Sequence, residues 1–477
     1  MQQPSVGRNR IPKDQRFVLL MSAWMFSILF LANVFRVLKE SLLIAHMGVE
    51  SLSYIRIFLQ LPLPLGMIYV LVTLKKKYTQ QQIFNFVLGF YAFFMVVFTN
   101  LLYPYMQVLA LPLYLKTYLL QIAPALNKFI PVIDLWPLTL FYLLADLWPL
   151  LIYVNCFWEL SNRLVSTQEA SQIYPLYNVL GQSNLLFTGF VLYYLSSFSI
   201  KHYIGALGFN FVQCVGNVAV LVISLVLLFY NYIVAKYDLP SGHYTAAQPT
   251  QRLSFMQTAR LLWDNKHIAN IFFCTLLYYA IICTIEILWF HTLAVRYTTP
   301  GLIGGYQSQT LLLIGASTLL FALLGRYLLQ KWGWYGVLQV LPYTMLIFSL
   351  GLMGGYSAAF NPKAAWTTLY LSTGMYVIAK SMKYAFFDTT KEMAYIPADE
   401  HLKFYGKLSA DTLANSVGKV LGNVFPCLFF AVYWRHSLDG LAAMYLSLLL
   451  VLLSSCWIYI AVRLRVSYQD MLKNKTQ

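Results

Sequence analysis

The stretch RVLKESLL at residues 36–43 places Arg36, Lys39 and Glu40 inside an apolar run that begins at Phe17. A charge at the centre of a bilayer costs roughly 2.5–3.5 kcal/mol on insertion scales, so ionisable residues in such runs point to function. The pattern recurs along the chain. Arg56 precedes Pro62 and Pro64, Asp146 lies in LLADLWPL, Glu159 in FWELSN and Glu286 in CTIEILWF, followed by Lys380, Lys383 and, in SVGKVLGN, Lys419. Arg36 and Glu40 are four residues apart, on one helical face, a spacing that allows an internal pair. The deep acids Glu40, Asp146 and Glu286 are too few to neutralise Arg36, Lys39, Arg56, Lys380, Lys383 and Lys419 together. A cavity holding that positive excess suits an anion. Guanidinium forks and lysine ammonium groups are the usual partners of phosphate. The carboxylates then balance the empty cavity or carry a proton.

Bond-making chemistry finds little support. VGKV at 417–420 has a Walker-type lysine, but Leu413 stands where the first glycine is needed and Val420 replaces the Ser or Thr. HExxH and GxSxG are absent, and the histidines (46, 202, 243, 267, 291, 401, 436) are scattered. Cysteines 156, 214, 274, 283, 427 and 456 all fall in apolar runs without a CxxC pair, as small packing residues do. The chain reads as a non-enzyme with no metal and no cofactor.

These charges must be positioned by membrane helices. Of the 477 residues 59% are hydrophobic and 10% charged, with a mean hydropathy of +0.63, whereas soluble proteins carry about 25% charged residues. Apolar runs of twenty or more residues exclude a transmembrane β-barrel. Spans are expected at 17–46, 53–74, 82–104, 136–162, 174–197, 207–234, 267–292, 302–327, 333–357, 366–388, 411–434 and 438–465. A net charge of +16 could suit nucleic acid. The basic residues instead crowd the segments on the N-terminal side of the membrane, as the positive-inside rule requires, and the KKK at 75–77 is such an anchor. Both termini are therefore expected in the cytoplasm of a bacterial inner-membrane, multi-pass protein, and no nucleic-acid partner is expected.

The fold class expected is all-α and polytopic, with about twelve transmembrane helices in two six-helix bundles and a major-facilitator-like plan. The tail 1–16 precedes a bundle at 17–234. A hydrophilic connection at 235–266 leads to a second bundle at 267–465 and a tail at 466–477. Glu169, Tyr174 and Asn184 recur as Glu400, Tyr405 and Asn415 at one offset of 231 residues, the mark of a repeated half. GRYLLQKWG at 325–333 resembles the basic loop of the major facilitator superfamily. The apolar segment 105–132, broken by Pro112 and Pro124, reads as an interfacial or re-entrant piece.

At 383–407 the chain reads KYAFFDTTKEMAYIPADEHLKFYGK. This resembles the signature of the nucleotide transporter family, the ATP/ADP translocases of plastids and intracellular bacteria. ADLW, FWELSNRL and EASQIYPLYNVLGQSNLLFTG within 145–189 resemble a second family block, and NVFRVLKESLL, YIRIFLQLP and IEILW resemble three more. The resemblance implies that the family's span-two lysine falls on Arg56 and its span-four glutamate on Asp146. Its span-seven glutamate falls on Glu286 and the lysine of its glycine-flanked motif on Lys419. Glu159, Asn162, Asp388, Lys391 and Glu392 belong to the signature blocks. Departures are FDTTK at 387–391, which lacks the family's proline, Phe290 where the family has lysine, and VLGQSN at 179–184. The function implied is nucleotide transport by alternating access, as ATP/ADP exchange or as import of ATP, ADP or another NTP. Arg36, Lys39, Arg56 and Lys419, with Lys380 and Lys383, would hold the phosphates. The alternative is another phosphorylated or organic anion, such as NAD or a sugar phosphate, with or without protons. A monomer in the lipid bilayer is expected.

Overall fold

The computed structural model describes residues 15–59, 62–75, 77–122, 129–165, 183–197, 210–237, 265–357, 364–397, 413–428 and 439–476, with Ile173, Tyr177 and Gly181. All regular structure among them is helical. That follows from the solvent, since a lipid-facing backbone must satisfy its own N–H and C=O groups. In chain order the helices are α1 (Gln15–Met47), α2 (Val49–Phe58), α3 (Pro62–Lys75), α4 (Gln80–Val97), α5 (Leu113–Ile122), α6 (Ile130–Asp134), α7 (Trp136–Trp148) and α8 (Trp158–Leu164). Then come α9 (Asn184–Ser196), α10 (Phe211–Lys236), α11 (Lys266–Arg296), α12 (Pro300–Ser357), α13 (Ala364–Met382), α14 (Asp388–Ala394), α15 (413–428) and α16 (Asp439–Thr476).

Eight helical stretches among the described residues are long and apolar enough to cross a membrane, and they coincide with eight of the twelve expected spans. The other four expected spans do not meet that length and apolarity among the described residues. The second is described as α2 and α3 on either side of residues 60–61, with Pro62 opening α3. The fifth and eleventh are described only over α9 and α15. The tenth carries its charges, Lys380 and Lys383, at the C-terminal end of α13 and just beyond it. Within α12 the backbone is broken at Gly333, whose φ of 69° favours glycine. The basic loop expected at 325–333 is therefore helical up to that break. The segment after α4 is a π-helical turn (Phe98–Leu102), then turns, then α5, which buries no side chain and exposes Leu113, Tyr114 and Tyr118. It is tied down by Lys116–Asp134 at 2.8 Å, consistent with an interfacial piece. Residues 238–264 of the hydrophilic connection, and Glu169, Tyr174, Glu400 and Tyr405 of the repeat, lie outside the described residues.

Two features set up the site. In α11, 83% of the apolar window is buried against 28–50% in the other seven, so Glu286 rides on a helix walled by protein rather than lipid. Helices α1 and α9 of the first half also pack on α12 of the second. The approach is close, because a Cβ on Gly189 would meet Leu312 and the Ser308 carbonyl.

The helix of span four widens into a π-helical stretch at Pro149–Phe157, and that of span ten at Lys383–Phe387. At the 231-residue offset relating Asn184 to Asn415, the first stretch falls on residues that contain the second. Pro149 has no N–H to give and crowds the preceding turn, which favours the wider register. The Leu150 carbonyl accepts from Asn155 Nδ2 at 2.7 Å. In the second stretch Thr390 Oγ1 donates to the Phe386 carbonyl at 2.9 Å.

Candidate functional site

Lys39 is 7% exposed on α1 and is held from α7: its Nζ lies 2.6 Å from Asp146 Oδ1 and 4.4 Å from the centre of the Tyr142 ring. Both partners belong to the first half. Arg56, in the last turn of α2, reaches the other way. Its Nη1 is 2.8 Å from Glu286 Oε2 on α11, its Nη2 is 3.8 Å from Glu40 Oε1, and its Nε donates to Tyr142 Oη at 3.3 Å. Glu286 is buried and collects two more groups from α13: Tyr376 Oη donates to Oε1 at 2.9 Å, and Lys380 Nζ stands 3.8 Å from the same oxygen. Four helices thus converge on one network of Glu40, Arg56, Glu286 and Lys380, and the Arg56–Glu286 pair is a direct link between the halves.

Beside this network lies a small cavity of about 10 Å³, room for a single water. Arg36 and Glu40 enter it from α1, Trp289 from α11, Gln307 from α12 and Tyr376 from α13. Trp289 and Tyr376 stack at 4.5 Å and 14°, giving the cavity a flat aromatic wall. No ion pair of Arg36 is found among the described residues, so its guanidinium is available to a ligand. The pairing suggested by the Arg36/Glu40 spacing is corrected here: the ion pair of Glu40 is with Arg56. The i, i+4 rule gives proximity along one helix, and the packing of α2 brings a second cation to the same carboxylate.

The remaining expected cations sit elsewhere. Lys383 Nζ is 2.7 Å from Asp388 Oδ2, spanning the π turn. Five residues apart, the two would diverge around an α-helix, and the wider register brings them to one face. Lys419 on α15 is exposed and does not line the cavity with Arg36; its Nζ lies 5.8 Å over the Tyr279 ring of α11. Gly418 and Gly422 flank it, and a Cβ on either would collide with the carbonyl of Leu276 or Ala280 on α11. Glu159 pairs with Lys75 at 2.7 Å, so this member of the KKK anchor is also a structural partner. The Asn162 side chain lies outside the described residues, Lys391 is half-buried and Glu392 exposed. The signature helix α14 is moored at both ends: Trp334 Nε1 donates to the Thr390 carbonyl at 2.7 Å, and His267 Nε2 meets the Ala394 carbonyl at 2.8 Å. Phe290, the lysine position of the resembling family, is fully buried against Trp289 and presents no charge.

Gln307, Trp289, Tyr376 and Tyr142 escaped a reading based on charge. A glutamine in an otherwise apolar span was the available signal for Gln307; the aromatics are too numerous to single out.

A family model described as TLC ATP/ADP transporter matches residues 13–468. The chain is 25% identical to ADP,ATP carrier protein 4 of Rickettsia bellii (strain RML369-C), over 95% of this chain and 91% of that one. It is 24% identical to ADP,ATP carrier protein 5 of the same organism, over 94% of each. Among solved structures, the nucleoside transporter NupG superposes with a TM-score of 0.53 at 14% identity, covering 96% of this chain and 100% of that one. A bacterial homologue of the iron transporter ferroportin in an inward-facing state gives 0.57 at 12% identity, covering 93% and 98%. Likeness at that identity speaks to the fold, which is that of polytopic transporters.

Proposed function

The chain belongs to the TLC ATP/ADP transporter family, and from that premise we propose that it carries nucleotides across a membrane by alternating access, exchanging ATP for ADP or importing nucleotide. The observation that carries the reading is the Arg56–Glu286 pair at 2.8 Å, which joins the two halves beside a cavity lined by the unpaired Arg36. Removing one partner of a buried ion pair costs about 3–5 kcal/mol. An empty carrier that separates Arg56 from Glu286 meets that cost in full. A phosphate that takes over Arg56 offsets it, and Lys380 remains beside Glu286 to hold the released carboxylate. Reorientation is then fast when loaded and slow when empty, which is exchange.

In this reading Arg36, Arg56 and Lys380 grip the phosphates directly. Lys39 does so only when Asp146 lets go, and Lys383 and Lys419 serve the path to the site. Residues 17–234 and 267–465 are the two bundles, and the protein acts as a monomer in a bacterial inner membrane with both termini in the cytoplasm. It moves its substrate unhydrolysed. Vesicles preloaded with unlabelled ATP or ADP take up labelled nucleotide faster than empty ones; equal rates would overturn exchange in favour of import. Arg36→Ala abolishes uptake while leaving the amount of protein in the membrane unchanged. A fall in that amount alone would make Arg36 a packing residue.

The uncharged Phe290 favours one second reading, a phosphorylated or organic anion other than ATP, such as NAD or a sugar phosphate. Competition by unlabelled NAD and sugar phosphates against labelled ATP separates the two.

A further inference from the structure

Glu40 differs from the other acids of the spans. It is 4% exposed, and among the described residues it accepts no hydrogen bond. Asp146 accepts from Lys39 at 2.6 Å, Glu286 from Tyr376 at 2.9 Å and Glu159 from Lys75 at 2.7 Å. The ion pair of Glu40 is the 3.8 Å contact with Arg56, whose guanidinium stands at 2.8 Å from Glu286 instead.

The groups facing Glu40 come from six helices. On its own helix Arg36 lies one turn back, and Lys39 is committed to Asp146. Helix α2 brings Arg56, α7 brings Tyr142 and Asp146, and α11 brings the like charge of Glu286. From α12 come the neutral Gln307 and Thr310, and from α13 Tyr376, with Lys380 beside Glu286. Gln307 is buried with both carboxamide atoms unpartnered, and a single water in the cavity that it shares with Glu40 would answer it.

Loading removes what keeps this carboxylate charged. In the nucleotide reading Arg36 and Arg56 turn to the phosphates. Glu286 then keeps Lys380 and the Tyr376 hydroxyl, and Asp146 keeps Lys39. Glu40 is left with no hydrogen bond and no cation of its own, and a second anion stands beside it. Burial and a neighbouring like charge both favour the neutral form of a carboxyl group. A neutral carboxyl also presents a donor, which a water between it and Gln307 accepts.

We propose that Glu40 is a proton-binding site that fills as the anion enters, so that the loaded carrier holds one proton on a Glu40 oxygen. The proton comes from solvent and returns to solvent when the anion leaves, and no bond of the substrate changes. This rests on the nucleotide-transport reading and adds the ion that moves with the substrate. In exchange the proton crosses in both directions without net flow. In import one proton enters with each nucleotide.

The test is isothermal titration calorimetry of ATP and of ADP into the purified protein at neutral to mildly alkaline pH. Buffers of different ionisation enthalpy count the protons taken up. The wild type takes up about one proton per nucleotide, so its affinity falls by up to about tenfold for each unit rise in pH. Glu40→Gln keeps the shape of the protonated group, binds without proton uptake and loses that slope. A wild type that binds without taking up a proton would overturn the assignment, as would Glu40→Gln that still takes one up. An infrared difference spectrum of the wild type on adding ATP needs no variant: a new protonated carboxyl band is expected, and its absence would overturn the proposal. A wild type that binds neither ATP nor ADP would remove the transport reading itself, which is a separate result.

Discussion

Asp146 and Glu286 are both carboxylates within membrane-spanning helices, and both hold a cation from another helix. Asp146 holds Lys39 inside the first half of the chain, whereas Glu286 holds Arg56 across the boundary between halves. A pair inside one half travels with it as the protein rocks. A pair across the boundary must break and re-form. The same chemistry therefore serves as a strut in one place and as a latch in the other, and the surroundings match those roles. Lys39 is capped by the Tyr142 ring, while Glu286 is ringed by groups able to receive it when Arg56 leaves.

The sharpest break of that comparison is at the latch. Arg56→Ala or Glu286→Gln lowers exchange by a factor of about 10² to 5 × 10³, the rate equivalent of about 3–5 kcal/mol. Initial uptake rates normalised to protein in the membrane measure it, and a loss of protein without loss of specific rate would contradict the latch. The strut fails differently. Asp146→Asn lowers the melting temperature in detergent, and the paired change Lys39→Met with Asp146→Leu recovers most of it while exchange drops about tenfold or less. Should the double variant lose exchange as completely as Glu286→Gln, Asp146 would belong with the latch. The smallest effect is expected at Lys383 and Asp388, whose side chains are 16% and 35% exposed. An accessible pair is worth at most about 1 kcal/mol, so Asp388→Asn changes uptake no more than about fivefold. A larger loss would give the second π turn a role in the transport step.

The spans and the membrane charges were legible because both are single-residue properties: apolar run length and a charge out of place. Partners were not. Glu40 lies one turn from Arg56's rival Arg36, and only the approach of α2 decides between them. Lys383 and Asp388 are out of register on an ideal helix, and the π widening that aligns them leaves no letter pattern of its own at that position. At Pro149 the sequence did carry a cause, and the offset of 231 residues could have transferred it. Lys419 was named from a motif, and its exposure separates it from the cavity.

The contact made by Gly418 and Gly422 has a mechanical consequence. With carbonyls of α11 seated where side chains would otherwise stand, α15 and α11 mesh like a rack and its pinion. Helices in backbone contact settle in discrete seats, one helical turn or about 5.4 Å apart. A slide of α15 by one such seat would carry the Lys419 ammonium, now over the Tyr279 ring, about 5.4 Å along α11.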